Sequence, residues 1–134
     1  MRKTHTAKNK KSILVVDDDL SICQVYEYFF ESEGFETHIA LSAGEAFEIL
    51  DINKVDIVIT NINMPGMNGF ELTKIIKGNT ELDVIIVTGY REGCSYEEAV
   101  RVGASALFYK PVNLKDLLNS VNRLLRNRRR NPEK

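Results

Sequence analysis

The sequence predicts an α/β protein in which a doubly wound parallel sheet of five strands carries helices on both faces. Strand-like and helix-like patterns alternate five times along the 134 residues. The strand-like runs are short, continuously apolar and rich in β-branched residues, as in strands buried on both faces. Strands that alternate with helices imply right-handed crossovers, which cover a parallel sheet on both sides. A chain of this length that is 43% hydrophobic suits one domain with a single core.

The first two strand–helix units are predicted at 12–33 and 35–50. Strand one, near 12–17, is a buried β-branched run, and the helix at about 19–33 ends at Gly34, a candidate left-handed cap. Strand two, at 35–40, precedes Ser42-Ala43-Gly44-Glu45, a capping-box pattern that opens a second helix. The predicted inward residues are Ile22, Val25, Tyr26, Phe29 and Phe30 in the first helix and Ala43, Ala46, Phe47 and Leu50 in the second.

The third unit begins with a strand at 55–60. A structured loop follows at 63–69, where the pair Pro65-Gly66 favours a type II turn. The third helix, at about 69–77, is predicted to end before Gly78-Asn79. Its predicted inward residues are Leu72, Ile75 and Ile76.

The last two units begin with strands at 83–88 and 106–109. Ser95-Tyr96-Glu97-Glu98 is a second capping-box pattern, and its short helix ends at Gly103. The last helix runs from about Leu114 past Arg123, with Asn113 as its cap. The predicted inward residues are Tyr96, Ala99 and Val100 in the short helix and Leu114, Leu117, Leu118, Val121 and Leu125 in the last one.

Polar residues follow four of the five strands. Asp17-Asp18-Asp19 follows strand one, Asn61 strand three, Thr88-Gly89 closes strand four, and Lys110-Pro111 follows strand five. The carboxyl ends of parallel strands share one rim, where ligand crevices form. Acid pairs bind hard cations, the cation takes phosphoryl oxygens, and Thr and Lys hold such oxygens too. The rim is therefore predicted to serve phosphoryl chemistry, with an amide at its centre.

These four motifs, in this order, resemble those of the receiver domains of bacterial two-component response regulators. The motifs are 13–19 (ILVVDDD), 56–69 (DIVITNINMPGMNG), Thr88-Gly89 and Lys110-Pro111. The resemblance covers nearly the whole chain and implies a flavodoxin-like sheet with strand order 2-1-3-4-5, an order already known for receivers. It also implies a cis peptide between Lys110 and Pro111.

The resemblance assigns a role to each rim residue. A receiver takes a phosphoryl group from a histidine kinase onto an aspartate that closes strand three, and Asn61 stands at that position. Asp17 and Asp18 match the acid pair that holds Mg²⁺, with the backbone carbonyl of Asn63 and the side chain of Asn61 as further ligands. Thr88 and Lys110 match the hydroxyl and the ammonium that hold the phosphoryl oxygens. Taken singly, Thr88 and Lys110 also fit a strand-end hydroxyl and a solvated charge, and Asp19 fits a helix cap alone.

The sequence departs from the family pattern at two positions. An acyl phosphate needs attack by a carboxylate oxygen, and the carboxamide of Asn61 is a far poorer nucleophile, so we expect no phosphorylation of this chain and only weak Mg²⁺ binding. An engineered variant and a natural pseudo-receiver both explain Asn61. Receivers also commonly place an aromatic residue where Leu107 stands. Tyr109, on the same strand face, is an alternative switch residue, and plain core packing is the other interpretation of both.

A hydrolase is the competing function. Asp17-x-Asp19 with Ser21, Thr88 and Lys110 also resembles the haloacid dehalogenase superfamily, in which Asp17 would be the nucleophile. That family needs a further acidic pair after the lysine, where this chain offers only Asp116. No GxGxxG or GxxxxGK loop indicates a nucleotide binder. We therefore expect a signalling module that is not an enzyme.

The charge distribution predicts a domain at 12–126 between a basic arm at 1–11 and a basic tail at 127–134. Residues 12–122 carry 18 acidic and seven basic side chains, although the net charge of the whole chain is only −1. Neither arm has an aromatic residue for base stacking, so we expect no nucleic-acid binding by the domain. No run suits a signal peptide or a membrane span, and Cys23 and Cys94 suggest reduced thiols, so we expect a cytoplasmic protein. The expected partners are a histidine kinase or phosphotransfer protein and an output domain or downstream protein, bound through the fourth helix, fifth strand and fifth helix.

Overall fold

The computed structural model describes residues 10–89 and 95–130, except the side chains of 95, 129 and 130. Five parallel strands form one sheet in the order β2-β1-β3-β4-β5, as the resemblance implied. The strands are β1 (Ser12–Val16), β2 (Glu36–Ala40), β3 (Ile57–Asn61), β4 (Asp83–Thr88) and β5 (Ala106–Tyr109). The helices are α1 (Leu20–Ser32), α2 (Ala43–Ile52), α3 (Gly69–Asn79), α4 (Ser95–Val102) and α5 (Leu114–Arg130).

Two apolar layers cover the sheet, because the side chains of its central strands alternate between the two faces. One layer joins β1, β3 and β4 to α1 and α5 through Phe30, Leu117 and Val121. The other side packs against α2 and α3 through Ala46 and Leu72, and a smaller cluster around Ala99 seats α4 there. The predicted doubly wound architecture is therefore confirmed.

Four predicted inward residues are wrong. Val25 is 55% exposed, since the buried line of α1 runs through Cys23, Tyr26 and Phe30 instead. In α4, Tyr96 and Val100 are 67% and 59% exposed, and Ala99 alone of the predicted three is buried. Ile75 of α3 is 38% exposed, while Thr73 is buried and donates its hydroxyl to the Gly69 carbonyl at 2.8 Å. These helices are narrower in their buried face than the periodicity suggests.

The helix caps largely follow the sequence. The Asp19 side chain accepts from the backbone of Ser21 at 2.9 Å, which confirms it as the cap of α1. Ser42 caps α2, because its side chain accepts from the Glu45 amide. The Glu45 side chain accepts from the Leu41 amide and not from that of Ser42, so the predicted capping box is only half formed. The second predicted capping box depends on the side chain of Ser95, which lies outside the described part of the chain.

The last helix extends further than expected. It continues to Arg130, so residues 127–130 of the predicted tail are helical, and Arg128 donates to the Asp56 carbonyl at 2.9 Å. The arm at 1–9 and the end at 131–134 lie outside the described residues, and the division into arm, domain and tail stays a prediction. Within the described ranges no helix is long and apolar enough to cross a membrane.

Candidate functional site

The strand register places the predicted rim residues side by side. Val16 of β1 is paired with Thr60 of β3, so Asp17 and Asn61 follow at the same level on strands about 4.8 Å apart. Asn61 is in turn paired with Val87, which brings Thr88 to the same rim. The sheet thus brings together the site residues that the sequence predicted at the ends of three different strands.

Lys110 completes the rim from the edge strand. Thr88 is paired with Tyr109 of β5, and the next backbone amide, that of Lys110, donates to the Thr88 carbonyl at 2.7 Å. The Lys110 ammonium reaches across to Asp17, with Nζ 3.3 Å from Oδ2. The Lys110–Pro111 peptide is cis, as the resemblance implied.

Asp17 is the most constrained acid of the site. It is buried, its Oδ1 accepts from the Asp19 amide at 2.9 Å, and its own amide donates to the Ala40 carbonyl at 3.1 Å. Burial raises the pKa of its carboxyl, although the Asp19 amide and the Lys110 charge act in the opposite direction. The Asp17 carboxylate is therefore poorly solvated, and a charge bound beside it would also shift its pKa.

Cys23 lies directly behind the acid. Its thiol is fully buried and donates to the Asp17 carbonyl at 3.4 Å. Burial, followed by the charge of Asp17, raises the pKa of the thiol to about 11, so it stays protonated at neutral pH. Cys94, the other predicted thiol, lies outside the described residues.

The side chain of Asn61 is held by a neighbour on its own loop. Its amide Nδ2 donates to the Asn63 carbonyl at 2.9 Å, so the two predicted metal ligands are bonded to each other. Thr60 is fully buried and donates its hydroxyl to the Asn61 carbonyl at 2.9 Å, which removes it as an alternative nucleophile at the rim. Asp18, by contrast, is exposed at the mouth of the site.

Gly69 is a site residue that the sequence reasoning did not single out. Its amide donates to the Ile62 carbonyl at 2.8 Å, and a Cβ built on it would clash with the Asn61 carbonyl oxygen and lie 2.9 Å from the carbonyl carbon. Only glycine allows α3 to start this close to the end of β3. The pattern Asn68-x-x-Glu71, a complete capping box in the structure, was the available signal for a helix start at that position.

The donor set fits a hard divalent cation, with one complication. The carboxylates of Asp17 and Asp18, the Asn61 side-chain oxygen and the Asn63 carbonyl are all oxygen donors, as Mg²⁺ prefers. Among the residues that the structure describes, no group of three His, Cys, Asp or Glu side chains forms such a site, so an amide and a carbonyl must complete the set. A cation there has to displace the hydrogen bond between Asn61 and Asn63.

Comparison with known proteins identifies the family. The model of the family described as response regulator receiver domain matches residues 13–122. The heme response regulator HssR of Staphylococcus saprophyticus is 34% identical over 113 residues, covering 84% of this chain and 50% of that protein. Sporulation initiation phosphotransferase F of Bacillus subtilis is 32% identical over 116 residues, which are 86% of this chain and 94% of that protein.

Solved structures agree. A CheY-like response regulator receiver domain protein from Methanospirillum hungatei superposes with a TM-score of 0.85 at 32% identity, over 91% of this chain and 98% of the other. A receiver domain protein from Clostridium thermocellum gives 0.83 at 32% identity, over 89% and 97%. The chain spans about half the length of HssR, and these comparisons give no support to the phosphohydrolase alternative.

Proposed function

The chain belongs to the response regulator receiver family. From that premise we propose that Asn61 occupies the phosphoryl-acceptor position of the family, so that this chain cannot be phosphorylated. Response regulator receiver domains act in two-component signalling, where they interact with histidine kinases or phosphotransfer proteins. The observation that carries the proposal is the register that puts Asn61 level with Asp17, the residue paired with Lys110. The chain is then a signalling module and not an enzyme.

The proposed roles follow from the charges at the rim. An incoming phosphoryl group is anionic, so the Lys110 ammonium can exchange its partner Asp17 for a phosphoryl oxygen, and the Thr88 hydroxyl can donate to another. Receiver domains generally bind Mg²⁺ at the acid pocket, and here Asp17, Asp18, Asn61 and Asn63 would hold it. The bound ion would neutralise the charge that builds up between phosphoryl oxygens and carboxylates.

The missing element is the nucleophile. In transfer to an aspartate, a carboxylate oxygen attacks phosphorus, the bond to the donor's leaving group breaks, and that group departs with its electron pair. The Asn61 carboxamide has no anionic oxygen for this attack, and its nitrogen lone pair is delocalised into the carbonyl. Asp17, Thr88 and Lys110 lie at the same rim, which supports a pocket that keeps its shape and lacks only the nucleophile.

Restoring the carboxylate tests the proposal. The unaltered chain, Asn61→Asp and Asn63→Asp are incubated with Mg²⁺ and acetyl phosphate and then analysed by intact mass. Asn61→Asp is expected to gain one phosphoryl group that hydroxylamine removes. Asn63→Asp is the matched control, because it adds the same charge at the exposed neighbouring position, and it should stay unmodified. Failure of Asn61→Asp to react with any donor would overturn the assignment of this site.

The output surface is a second part of the proposal. We assign it to α4, β5 and α5, because Tyr96 and Val100 of α4 are exposed apolar side chains next to the half-exposed strand β5. Coupling to the rim would run through Thr88, because its hydroxyl would follow the phosphoryl group and shift the balance between two positions of α4. Leu107 packs with Ile86 and Ala99 under α4, which supports core packing as its role. With Asn61 in place no phosphoryl group favours the switched state, so the chain should rest in one arrangement.

A further inference from the structure

A basic groove runs along the free edge of the sheet, between β5 and α5. Its volume is about 690 Å³, and its floor is formed by residues 106–108 of β5. Its other wall is the polar side of α5, from Asp116 through Ser120 to Arg123 and Arg126. Three consecutive strand residues line it, so the groove follows the backbone of β5 and not just one of its faces.

The groove presents hydrogen-bond donors that the described residues leave unused. Arg123 and Arg126 make no salt bridge within the ranges 10–89 and 95–130. In the same ranges β5 pairs with β4 alone, and the other edge of a strand carries its own row of amides and carbonyls.

The charge of the groove is opposite to that of the domain. Residues 12–122 carry 18 acidic and seven basic side chains, so an acidic ligand is repelled by most of the surface. Two arginines three residues apart on α5 make the C-terminal half of the groove an exception, while Asp116 stands at its other end. The groove is thus polarised along its length.

We propose that this groove docks an extended, acidic segment of a partner protein, which adds to the edge of β5 and pairs two carboxylates with Arg123 and Arg126. The step from Asp116 to Arg126 covers about 15 Å of helix, which about five extended residues span. Alternate residues of that segment share one face, so acids at its third and fifth positions meet the arginines and a base at its first meets Asp116. The inference rests on the proposed function only in taking this face as the output surface.

A designed peptide tests the proposal on the unaltered chain. The probe is fluorescein-labelled Lys-Val-Glu-Val-Glu, and Glu-Val-Lys-Val-Lys is its charge-reversed control. Fluorescence anisotropy at low salt gives the affinity, and ¹⁵N–¹H spectra locate the site. The acidic peptide should bind with amide shifts centred on residues 106–108, and the reversed peptide should bind at least about tenfold more weakly.

Substitutions then assign the contacts. Arg123→Glu should weaken the acidic peptide at least about tenfold and raise the affinity for the reversed one. Lys74→Glu is the matched control, since it makes the same change of charge on exposed α3, away from the groove, and should alter neither affinity by more than about twofold.

Two results would overturn the proposal: no binding of the acidic peptide, or equal losses from Arg123→Glu and Lys74→Glu, which would mean general charge attraction. Tighter binding of a single-stranded DNA oligomer than of the peptide at the same groove would reassign it to nucleic acid and equally refute the proposal. The phosphorylation of Asn61→Asp does not use the groove. Its success with a failed peptide experiment would refute the groove alone, and the reverse outcome would refute the acceptor assignment alone.

Discussion

The side-chain amide of Asn61 donates to the backbone carbonyl of Asn63 at 2.9 Å. A carboxylate at position 61 could only repel that carbonyl unless a cation or a proton stood between them. The amide therefore pairs with that carbonyl directly, which a carboxylate could not do. Asn61 and Asn63 are therefore held together by a hydrogen bond that Asn61→Asp would lose.

Magnesium should bind this chain more weakly than Asn61→Asp. Removing one negative charge a few ångströms from a divalent ion costs about 1–2 kcal/mol in a solvent-like dielectric, and the bond between Asn61 and Asn63 must also break. Calorimetric titration of both proteins measures the difference. Asn63→Ala serves as a control, because it keeps the backbone carbonyl and should leave affinity nearly unchanged. Equal or tighter binding by the Asn61 chain would contradict the charge argument.

Asp17→Asn should raise the melting temperature at pH 7 by a few degrees. The folded pKa of Asp17 lies above its unfolded value of about 3.9, because burial disfavours the charged carboxyl. Between the unfolded and the folded pKa of Asp17, the folded state therefore binds more protons than the unfolded state. The stability that Asp17 contributes is present below the unfolded pKa and is lost as pH rises through the folded pKa. The advantage of Asp17→Asn should shrink at pH 4. A variant less stable than the parent at pH 7 would show that the pair with Lys110 outweighs burial.

Gly69→Ala should destabilise the fold by about 1–3 kcal/mol or more, since the new methyl group meets the Asn61 carbonyl, which is backbone and has little freedom to move. Gly78→Ala is the matched substitution. Gly78 lies inside α3 with no atom within 4 Å of an added Cβ, so it should gain about 0.5–1 kcal/mol from helix propensity. Urea unfolding of the two variants gives both values. Similar losses would mean that crowding at Asn61 is not the cause.

Asp56→Ala should cost about 1–3 kcal/mol, because the Ser12 amide, bonded to Asp56 Oδ2 at 2.8 Å in a buried position, loses its acceptor. Lys54→Ala should cost less than about 1 kcal/mol, since the Lys54 side chain is 83% exposed. Burial raises the pKa of Asp56, but the Ser12 amide and Lys54 outweigh it and hold that pKa below its usual value. The contribution is therefore present above the unfolded pKa of about 3.9 and lost as pH falls through the folded pKa. Urea unfolding should show that the free energies of unfolding of the parent and of Asp56→Ala differ less at pH 3 than at pH 7.

The strand ends were predictable because each one is a change from an apolar run to a polar residue. That local signal located Asp17, Asn61, Thr88 and Lys110, and parallel topology then brought them together. The predicted end of strand three at 60 missed Asn61 by one residue, since strand pairing with Val87 and not polarity decides where β3 ends. Gly78 was expected to end α3, but one glycine costs a helix too little to stop it, and the helix continues to Asn79.

Other features depend on contacts that no local pattern encodes. The requirement for glycine at 69 arises from the return of α3 against the end of β3. The bond from Arg128 to the Asp56 carbonyl joins residues 72 positions apart, and nothing in the basic run near the C-terminus distinguishes Arg128 from its neighbours. The exposure of Val25 and Tyr96 reflects how far each helix rolls on the sheet, which periodicity leaves open within one residue.

The buried thiol of Cys23 gives the protein an intrinsic spectroscopic label at the acid pocket. A protonated thiol absorbs in an infrared region that is nearly free of other protein bands, and its frequency reports the strength of the hydrogen bond it donates. Here that bond goes to the carbonyl of Asp17, and the thiol, with a pKa of about 11, keeps its proton through any ordinary titration. In a Cys94→Ser background the band belongs to one residue. Ion binding, protonation of the pocket or restoration of the aspartate could then each be followed without attaching a foreign probe.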